Sequence, residues 1–389
     1  MNTVCELNQC TGCKACIEAC PKHCIKFSED FAAVNAEIDL SGCVHCNRCQ
    51  EVCQQVHLVP LRKPYKWVQG WTDDIIRRES SSGGYATAIM RSFIESGGVV
   101  AACKYANADF VFSMYYTLND LKGVNGSKYV KSNPEGIYSK VAKELLNKKK
   151  VLFIGLPCQV AALKNYIRDS LQSQLYTIDL ICHGSPSIRT FKYCLKDYHI
   201  DFNNVEYFTF RGKDGYKLGT GLGQLAPGDV KDRYTIAFTT GLCHTENCYS
   251  CRYAQLARVG DLTLGDSWGT DLTDELSKGI SLALVQTVKG EELLDNSNLV
   301  IKPVDLDRAL IPNTQLREPT KRPAERDEFF QKINEGKSFK TAMREIYPKQ
   351  IFKDDVKTVL YKLGWRKNTG GGYGGFQIRY SMLNEQEKS

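Results

Sequence analysis

One spacing of cysteines occurs twice near the start of the chain, in Cys10-Thr11-Gly12-Cys13-Lys14-Ala15-Cys16-Ile17-Glu18-Ala19-Cys20-Pro21 and in Cys43-Val44-His45-Cys46-Asn47-Arg48-Cys49-Gln50-Glu51-Val52-Cys53. Both runs read C-x2-C-x2-C-x3-C. Three cysteines at such intervals wrap one tight loop around the irons of a cubane, and the fourth thiolate must come from elsewhere. The spacing therefore predicts two [4Fe-4S] clusters.

The trailing cysteine of each run determines which cysteines share a cluster. In two-cluster bacterial ferredoxins, the fourth cysteine of each run ligates the other cluster. This rule assigns one cluster to Cys10, Cys13, Cys16 and Cys53, and the second to Cys43, Cys46, Cys49 and Cys20. The alternatives are a disulfide framework or zinc, but zinc ligands come as C-x2-C pairs rather than as triplets with a trailing fourth. We interpret Cys5 and Cys24 as packing thiols, and Gln54, where the first run has Pro21, as a small departure.

The composition is typical of a soluble protein in a reducing compartment. The 389 residues include 17 cysteines, and cluster ligation requires reduced thiolates, so we expect a cytoplasmic protein rather than a disulfide-bonded one. The sequence contains no long uncharged apolar run, which predicts no membrane segment. The formal net charge of +7 falls to about +3 when two clusters of about −2 each are counted. Because the basic residues are also scattered, nucleic acid is not an expected partner.

Small residues precede the first long helical pattern. Ser80-Ser81-Ser82-Gly83-Gly84 leads into an apolar pattern of helical period from residue 85 to 96. Backbone N–H groups and hydroxyls at such a helix start can bind a phosphate or a flavin ribityl chain. An ordinary capped turn is the alternative.

A βαβ unit follows, with strands predicted at 150–154 and 175–181 and a helix at 158–168. Ligands on such sheets lie at the carboxyl ends of the strands, where the chain has Cys158 and Cys182-His183. Cys158 at a helix start is a candidate nucleophile, redox thiol or iron ligand, or else a buried small side chain. His183 could bond a flavin or deliver a proton, or it could be a turn histidine bonded to backbone.

Alternating residues around glycines predict antiparallel hairpins over 201–240. The run Cys243-His244-Thr245-Glu246-Asn247-Cys248-Tyr249-Ser250-Cys251 then supplies three cysteines, one ligand short of a cluster, which Cys158 or Cys182 could complete. We favour a third [4Fe-4S] cluster and expect its ligands to be Cys158, Cys243, Cys248 and Cys251. Zinc or packing thiols are the alternatives.

Several separate stretches resemble the coenzyme F420 hydrogenase/dehydrogenase beta-subunit family, in its form with a fused two-cluster ferredoxin. The matching stretches are Ser81–Gly84, Gly126-Ser127-Lys128-Tyr129-Val130, Gly155–Leu163, Asp179–Gly184, Cys248–Cys251 and Gly260-Asp261 through Gly265-Asp266-Ser267-Trp268-Gly269. The resemblance implies FAD at Ser81, Ser82, Gly83, Gly84, Ser127, Lys128, Gly265 and Asp266. It also favours Cys158, Cys248 and Cys251 as ligands, but it does not identify the acceptor.

We therefore predict an α+β protein in which a two-cluster ferredoxin-like domain precedes a larger mixed α/β flavin-binding domain with antiparallel hairpins. The predicted divisions are a ferredoxin-type domain at 1–58, a linker at 59–79, the two halves of the flavin domain at 80–200 and 201–345, and a tail at 346–389.

The functional hypothesis is an FAD-dependent iron-sulfur oxidoreductase. A ferredoxin or other redox protein would supply electrons, and FAD would pass two of them to coenzyme F420 or another small-molecule acceptor. His183 and Lys128 are the candidate catalytic residues, the first as proton donor and the second near a negative group. An electron-transfer subunit that docks on a separate catalytic partner is the alternative, and the sequence leaves homo- and hetero-oligomers open.

Overall fold

A computed structural model describes residues 2–213 and 215–366. The strands are, in chain order, β1 (Ile25–Glu29), β2 (Val34–Ile38), β3 (Lys66–Trp71), β4 (Val99–Ala106), β5 (Asp109–Tyr115), β6 (Val151–Gly155), β7 (Leu175–Leu180), β8 (Phe208–Gly212), β9 (Gly215–Thr220), β10 (Gly223–Gln224), β11 (Leu262–Asp266), β12 (Ser281–Val285) and β13 (Val300–Lys302).

The α-helices connect and cover these strands. They are α1 (Ala15–Ala19), α2 (Arg48–Glu51), α3 (Asp74–Glu79), α4 (Tyr85–Glu95), α5 (Ile137–Leu146), α6 (Pro157–Tyr166), α7 (Ile188–Lys196), α8 (Arg233–Thr239), α9 (Val288–Asp295), α10 (Leu306–Leu310), α11 (Arg326–Asn334), α12 (Phe339–Ile346) and α13 (Pro348–Lys362). Short 3-10 turns cover Leu118–Leu121, Asp169–Gln174, Phe202–Asn204, Glu246–Cys248, Thr273–Lys278 and Thr314–Leu316. None of the helices in 2–213 or 215–366 is long and apolar enough to cross a membrane.

The N-terminal module repeats one local geometry in its two cysteine runs. Lys14 and Asn47 each follow the second cysteine of a run, both have φ of 58°, and each begins a short helix, α1 or α2. The left-handed conformation turns the chain back sharply, so that the cysteines on either side face the same point. β1 and β2 pair antiparallel beside these loops, from Ile25 opposite Ile38 to Glu29 opposite Val34.

An eight-stranded mixed sheet forms the body, in the order β13-β3-β12-β11-β7-β6-β4-β5. The four strands β11, β7, β6 and β4 run parallel, with antiparallel pairs on both sides. The parallel strands β6 and β7 are buried along almost their whole length, as expected for strands covered on both faces. The predicted βαβ unit and the mixed α/β class are confirmed.

A second, three-stranded sheet, β10-β9-β8, is antiparallel and confirms the expected hairpins between residues 208 and 224. Residues 233–239, which fell in the same predicted hairpin region, instead form α8. Aromatic side chains of its strand β8, Phe208 and Phe210, pack with Phe110 and Phe191. The hairpin sheet is thereby fixed against β5 and α7.

Residues 59–79, expected as a linker, differ from that expectation. Residues 66–71 form β3, which lies between β12 and β13 in the main sheet, and 74–79 form α3. Pro60 and Pro64 do break regular structure, but β3 begins two residues after Pro64. Its sequence shows little alternation of polar and apolar residues, so the strand was not predicted. In the expected tail, 348–362 form α13, whereas the glycine run at 370–375 lies outside the described residues.

Candidate functional site

Four cysteines of the N-terminal module line one small cavity. Cys10, Cys13, Cys16 and Cys53 surround it, and each is at most 8% exposed. We call them the inner set. The nearby Cys5 thiol bonds to Cys10 and Cys53, which lowers the pKa of both thiols, that of Cys53 to about 7. Burial instead raises the pKa of the Cys13 and Cys16 thiols, so the four thiols of the inner set differ in how readily they ionise, and Cys5 acts on two of them.

The other four cysteines of the two runs lie at the surface side of the module. Charge interactions join Cys49 to Cys20 and Cys46, and Cys24 to Cys20 and Cys43. We call Cys20, Cys43, Cys46 and Cys49 the outer set. Cys20 is buried, Cys43 and Cys49 are half-buried, and Cys46 is exposed. The Sγ atoms of Cys20 and Cys24 are 3.4 Å apart.

A third group of cysteines lies at the carboxyl edge of the parallel strands. Cys158 follows β6, and Cys182 follows β7. Both line a cavity together with Cys248 and Cys251. We call Cys158, Cys182, Cys248 and Cys251 the central set. Burial raises the pKa of Cys158 and Cys182, which is what a cluster site with little access to water would impose on its free thiols.

Cys182, and not Cys243, completes this group. Cys243 is fully buried in an aromatic core cluster with Tyr234 and Phe238, away from the cavity. At Cys182 the backbone N–H of Gly184 donates to Sγ at 3.4 Å.

The same two-residue N–H···S bond occurs in the N-terminal module. Gly12 donates to Cys10 and His45 to Cys43, each also at 3.4 Å. Hydrogen bonds to the sulfurs are a regular feature of iron-sulfur sites. The three sets therefore fit [4Fe-4S] clusters in ligand number and ligand type, and each contains one such N–H···S bond. In 2–213 and 215–366, no three His, Cys, Asp or Glu side chains converge as they would around a single metal ion.

A buried ion pair supports the loops that carry the central set. Arg258 and Asp179, 1% and 0% exposed at their side chains, are joined by a 2.8 Å contact between Nη2 and Oδ1. Arg258 also donates to the backbone carbonyls of Leu180 and Tyr253. One guanidinium thus ties the end of β7, just before Cys182, to the segment just after Cys251.

The N-terminal module is tied to the body by buried hydrogen bonds. The Tyr253 hydroxyl bonds to Gln54 Oε1 at 2.5 Å, and Gln54 Nε2 donates to Thr11 Oγ1 at 3.1 Å. Gln54 is 0% exposed. The residue that replaces proline after the second run therefore makes the contact between the inner set and the loop of Cys251, and the departure from the pattern has a structural role.

A larger cavity of about 280 Å³ lies on the same carboxyl edge. Of the residues predicted to bind FAD, its lining includes Ser81, Ser82, Gly84, Ser127, Lys128, Gly265 and Asp266. Cys182 and His183 line both this cavity and that of the central set. The predicted cofactor residues, which are distant in sequence, are thus brought together beside the central set.

Gly83 is the one predicted FAD residue that does not line the cavity. A Cβ at this position would lie 2.3 Å from the Gly70 carbonyl oxygen and 2.6 Å from the Ser281 nitrogen. Gly83 therefore serves the close approach of its loop to β3 and β12. The backbone N–H of Ser127 donates to Ser81 Oγ at 2.9 Å, which links the two loops on this side of the cavity.

The two predicted catalytic residues have different surroundings. Lys128 Nζ donates to the carbonyls of Val124, Asn125 and Gly126, so that its three protons hold a loop, and burial lowers its pKa to about 8. Burial also lowers the pKa of His183, which keeps its imidazole neutral near pH 7.

Arg211 is a cavity residue that the sequence did not reveal. It forms an ion pair with Asp266 and lies over the rings of Tyr216 and Trp268, with its guanidinium carbon 5.2 and 4.9 Å from their centroids. No sequence motif marks Arg211, because it comes from the β8–β9 hairpin and reaches the carboxyl edge only through tertiary packing.

Comparisons with known proteins match two parts of this chain. Residues 148–306 match the family described as the C terminus of the beta subunit of coenzyme F420 hydrogenase/dehydrogenase. Residues 9–55 match the 4Fe-4S dicluster domain. The first match contains the central set, and the second contains both the inner and the outer set.

Individual relatives are distant. The uncharacterized protein MJ1349 of Methanocaldococcus jannaschii is 24% identical over an alignment of 191 residues. The alignment covers 41% of this chain and 52% of the relative. The chain thus spans about half the length of this curated relative. A chain of the F420-reducing [NiFe] hydrogenase complex of Methanosarcina barkeri aligns with a TM-score of 0.48 and 20% identity, over 66% of this chain and 90% of that chain.

The family matches confirm the resemblance expected from the motifs: residues 9–55 match the 4Fe-4S dicluster domain, and residues 148–306 match the C-terminal family of the coenzyme F420 hydrogenase/dehydrogenase beta subunit.

Proposed function

We propose that the protein is an iron-sulfur flavoprotein oxidoreductase that accepts single electrons from a redox protein and delivers two electrons to a small-molecule acceptor. The observation that carries the proposal is a row of three adjoining cavities. Thr11 and Gln55 line both the inner and the central cavity. Cys182 and His183 line both the central and the largest cavity.

Bound [4Fe-4S] clusters carry electrons singly, and a bound FAD collects two for hydride transfer. The chain's own part is to hold and space these groups. The inner, outer and central sets would each supply four thiolates, and the largest cavity would hold the flavin. The shared lining residues, two between the inner and central cavities and five between the central and largest cavities, keep neighbouring sites in contact through protein.

The outer set is the proposed docking point of the electron donor. Cys46 is exposed, and around it lie the exposed apolar side chains of Leu40 and Val44, 50% and 55% exposed. Lys22, Lys26 and Arg48 are exposed cations of the same module. Exposed apolar side chains and cations near the outer set in sequence would suit an acidic, ferredoxin-like donor, because complementary charge speeds its association.

His183 is the proposed acid-base group at the flavin cavity. It lines the cavity beside Asp266, and its burial keeps the ring neutral near pH 7, a state in which one ring nitrogen can give a proton and the other can accept one. Lys128 acts in this proposal by shaping the loop of Val124 to Ser127. The Arg211–Asp266 ion pair forms a polar part of the cavity lining, next to the Trp268 ring.

The first test is anaerobic purification followed by measurement of iron, sulfide and released flavin per chain. We expect about twelve irons and one FAD. About eight irons without flavin would contradict the proposal and favour an electron-transfer subunit that lacks a substrate site. A protein with flavin that reduces dyes but no acceptor, coenzyme F420 included, would favour the same alternative.

Two cysteine variants test the central set. Cys182→Ala should lose about four of the irons, whereas the matched Cys243→Ala should keep all of them. Equal iron contents in the two variants would contradict the assignment of Cys182. A loss confined to Cys243→Ala would restore the sequence-based choice.

A further inference from the structure

Lys131 lies between the inner and the central set. Its backbone N–H donates to the Pro186 carbonyl at 2.9 Å, and its Nζ donates to the Thr11 carbonyl at 2.9 Å. Lys131 is 8% exposed, and it lines the cavity of the central set. The side chain thus leaves the body of the protein and ends in the loop of the inner set.

Gly12 makes room for this side chain. The glycine has φ of 71°, and a Cβ added there would lie 2.8 Å from Lys131 Cδ. The aliphatic stem of Lys131 therefore packs directly on the turn between Cys10 and Cys13. One lysine is in contact with the loop of one cluster site and lines the cavity of another.

The charge of Lys131 has no close carboxylate partner among the described residues, since its side chain takes part in none of the ion pairs within 2–213 and 215–366. Burial raises the pKa of Glu29, and the Lys131 charge opposes this rise. The Glu29 carboxylate is not bonded to Lys131, however, and accepts a hydrogen bond from the Ile188 N–H at 3.0 Å. A buried ammonium with only a carbonyl acceptor is costly unless other negative charge is close.

Iron-bound thiolates would supply that negative charge on both sides. The Lys131 Nζ bonds to the Thr11 carbonyl in the loop of the inner set, and the same side chain lines the cavity of Cys158 and Cys182. The buried ammonium therefore lies next to both sites, where it would stabilise negative charge on iron-bound thiolates.

We propose that Lys131 is a positioning residue for electron transfer, a buried cation shared by the inner and central sets that makes the clusters there easier to reduce. One-electron reduction of a cluster adds one negative charge, which a nearby buried cation stabilises, and burial and charge are among the factors that set cluster potentials. The part of the inference that concerns the central set rests on the proposed function. The part that concerns the inner set needs only the dicluster domain.

The test is a potentiometric titration of the anaerobically purified holoprotein, followed by electron paramagnetic resonance. Lys131→Gln removes the charge but keeps an N–H donor of similar reach. We expect at least about a tenfold loss in the equilibrium constant for reducing the inner cluster, which is 59 mV for one electron. Lys131→Arg keeps the charge and should restore most of the potential.

The outer set serves as the internal reference, because Lys131 bonds to the loop of the inner set and lines the cavity of the central set. Lys140→Gln is the matched control, since Lys140 is an exposed cation on α5, and its loss should shift the potentials much less. An inner-cluster potential unchanged in Lys131→Gln at full iron content would overturn the proposal, as would equal shifts of the inner and outer clusters.

The two proposals fail separately. Absence of a central cluster from the wild type would appear in its iron content and would refute that part of the proposed function. The shift of the inner cluster against the outer one would still decide the role of Lys131.

Discussion

The inner and outer sets of the N-terminal module come from two cysteine runs of the same spacing, yet they have different surroundings. The inner set is buried, with all four thiols at most 8% exposed, and it faces the body through Thr11 and Gln54. The outer set ends at the surface with the exposed Cys46. Spacing determines which cysteines form a cluster site, but the surface that packs on the site determines whether the cluster can meet another protein. The same motif can therefore supply both an interior relay and an external contact.

The largest difference is expected when a ligand of each set is removed. Cys13→Ala removes a buried ligand at the module boundary, and it should release about four irons and lower the thermal unfolding midpoint. Cys46→Ala should release a similar amount of iron with a smaller change in the midpoint, because its surroundings are already solvated. Iron content and calorimetry measure both effects. Equal thermal unfolding midpoints in Cys13→Ala and Cys46→Ala would contradict the expected difference between the inner and outer sets.

The buried support of the central set gives the next largest effect. Asp179→Asn leaves the Arg258 guanidinium buried without its carboxylate, which should cost about 3–5 kcal/mol of unfolding free energy. Glu291→Gln is the control, because the Lys66–Glu291 pair is about a third exposed and is expected to contribute less than about 1 kcal/mol. Denaturant titration of both variants measures the loss of unfolding free energy. Similar losses in the two variants would contradict a larger contribution from the buried Arg258–Asp179 pair.

The residue that follows each cysteine run allows a direct comparison of a buried position, Gln54, with an exposed one, Pro21. Gln54→Ala removes the bonds to Thr11 and Tyr253 and leaves buried polar atoms unpaired, at a cost of about 1–3 kcal/mol. Pro21→Ala, at the exposed equivalent position, should change stability by less than about 0.5 kcal/mol. Limited proteolysis around residue 60 would report undocking of the module in the first variant. Equal protection of both variants would contradict a bridging role for Gln54.

The smallest effect concerns encounter with the donor. Arg48→Glu places a negative charge beside the outer set and should slow reduction by an acidic donor a few-fold at low salt. The effect should fade as the ionic strength rises, because the screening length falls to about 10 Å at 0.1 M. Stopped-flow reduction at several salt concentrations measures it, with Lys349→Glu on α13 as control. A change that is independent of salt would argue against docking at this surface.

The sequence was sufficient where local spacing determines structure. The two runs predicted both N-terminal sets, and buried apolar runs predicted β6 and β7 because strands covered on both faces need no alternation. Residues joined only by tertiary packing were missed. Cys243 was expected to be a ligand because it forms a C-x4-C-x2-C run with Cys248 and Cys251, with Cys158 or Cys182 as the fourth. The aromatic core around α8 instead buries Cys243 elsewhere. Cys182 is far from Cys248 in sequence, and the available signal was its place after a parallel strand, as for Cys158.

β3 and Gln54 show why the remaining structure was harder to predict. The strand follows two prolines and carries no clear alternation, so only its pairing with β12 and β13 defines it. Gln54 stands where the pattern has proline, and the partner that explains it, Tyr253, is 199 residues away in the chain. No single stretch of sequence contains such a contact.

The exposure of Cys46 also has a consequence for damage by air. Oxidants reach solvent-exposed, thiolate-rich sites first, so the outer cluster should be the first to lose iron when the protein meets oxygen. The inner cluster, whose four thiols are buried, should survive longer. A partly oxidised sample would then still contain most of its iron and yet be cut off from its donor, because the lost cluster is the one that faces outward.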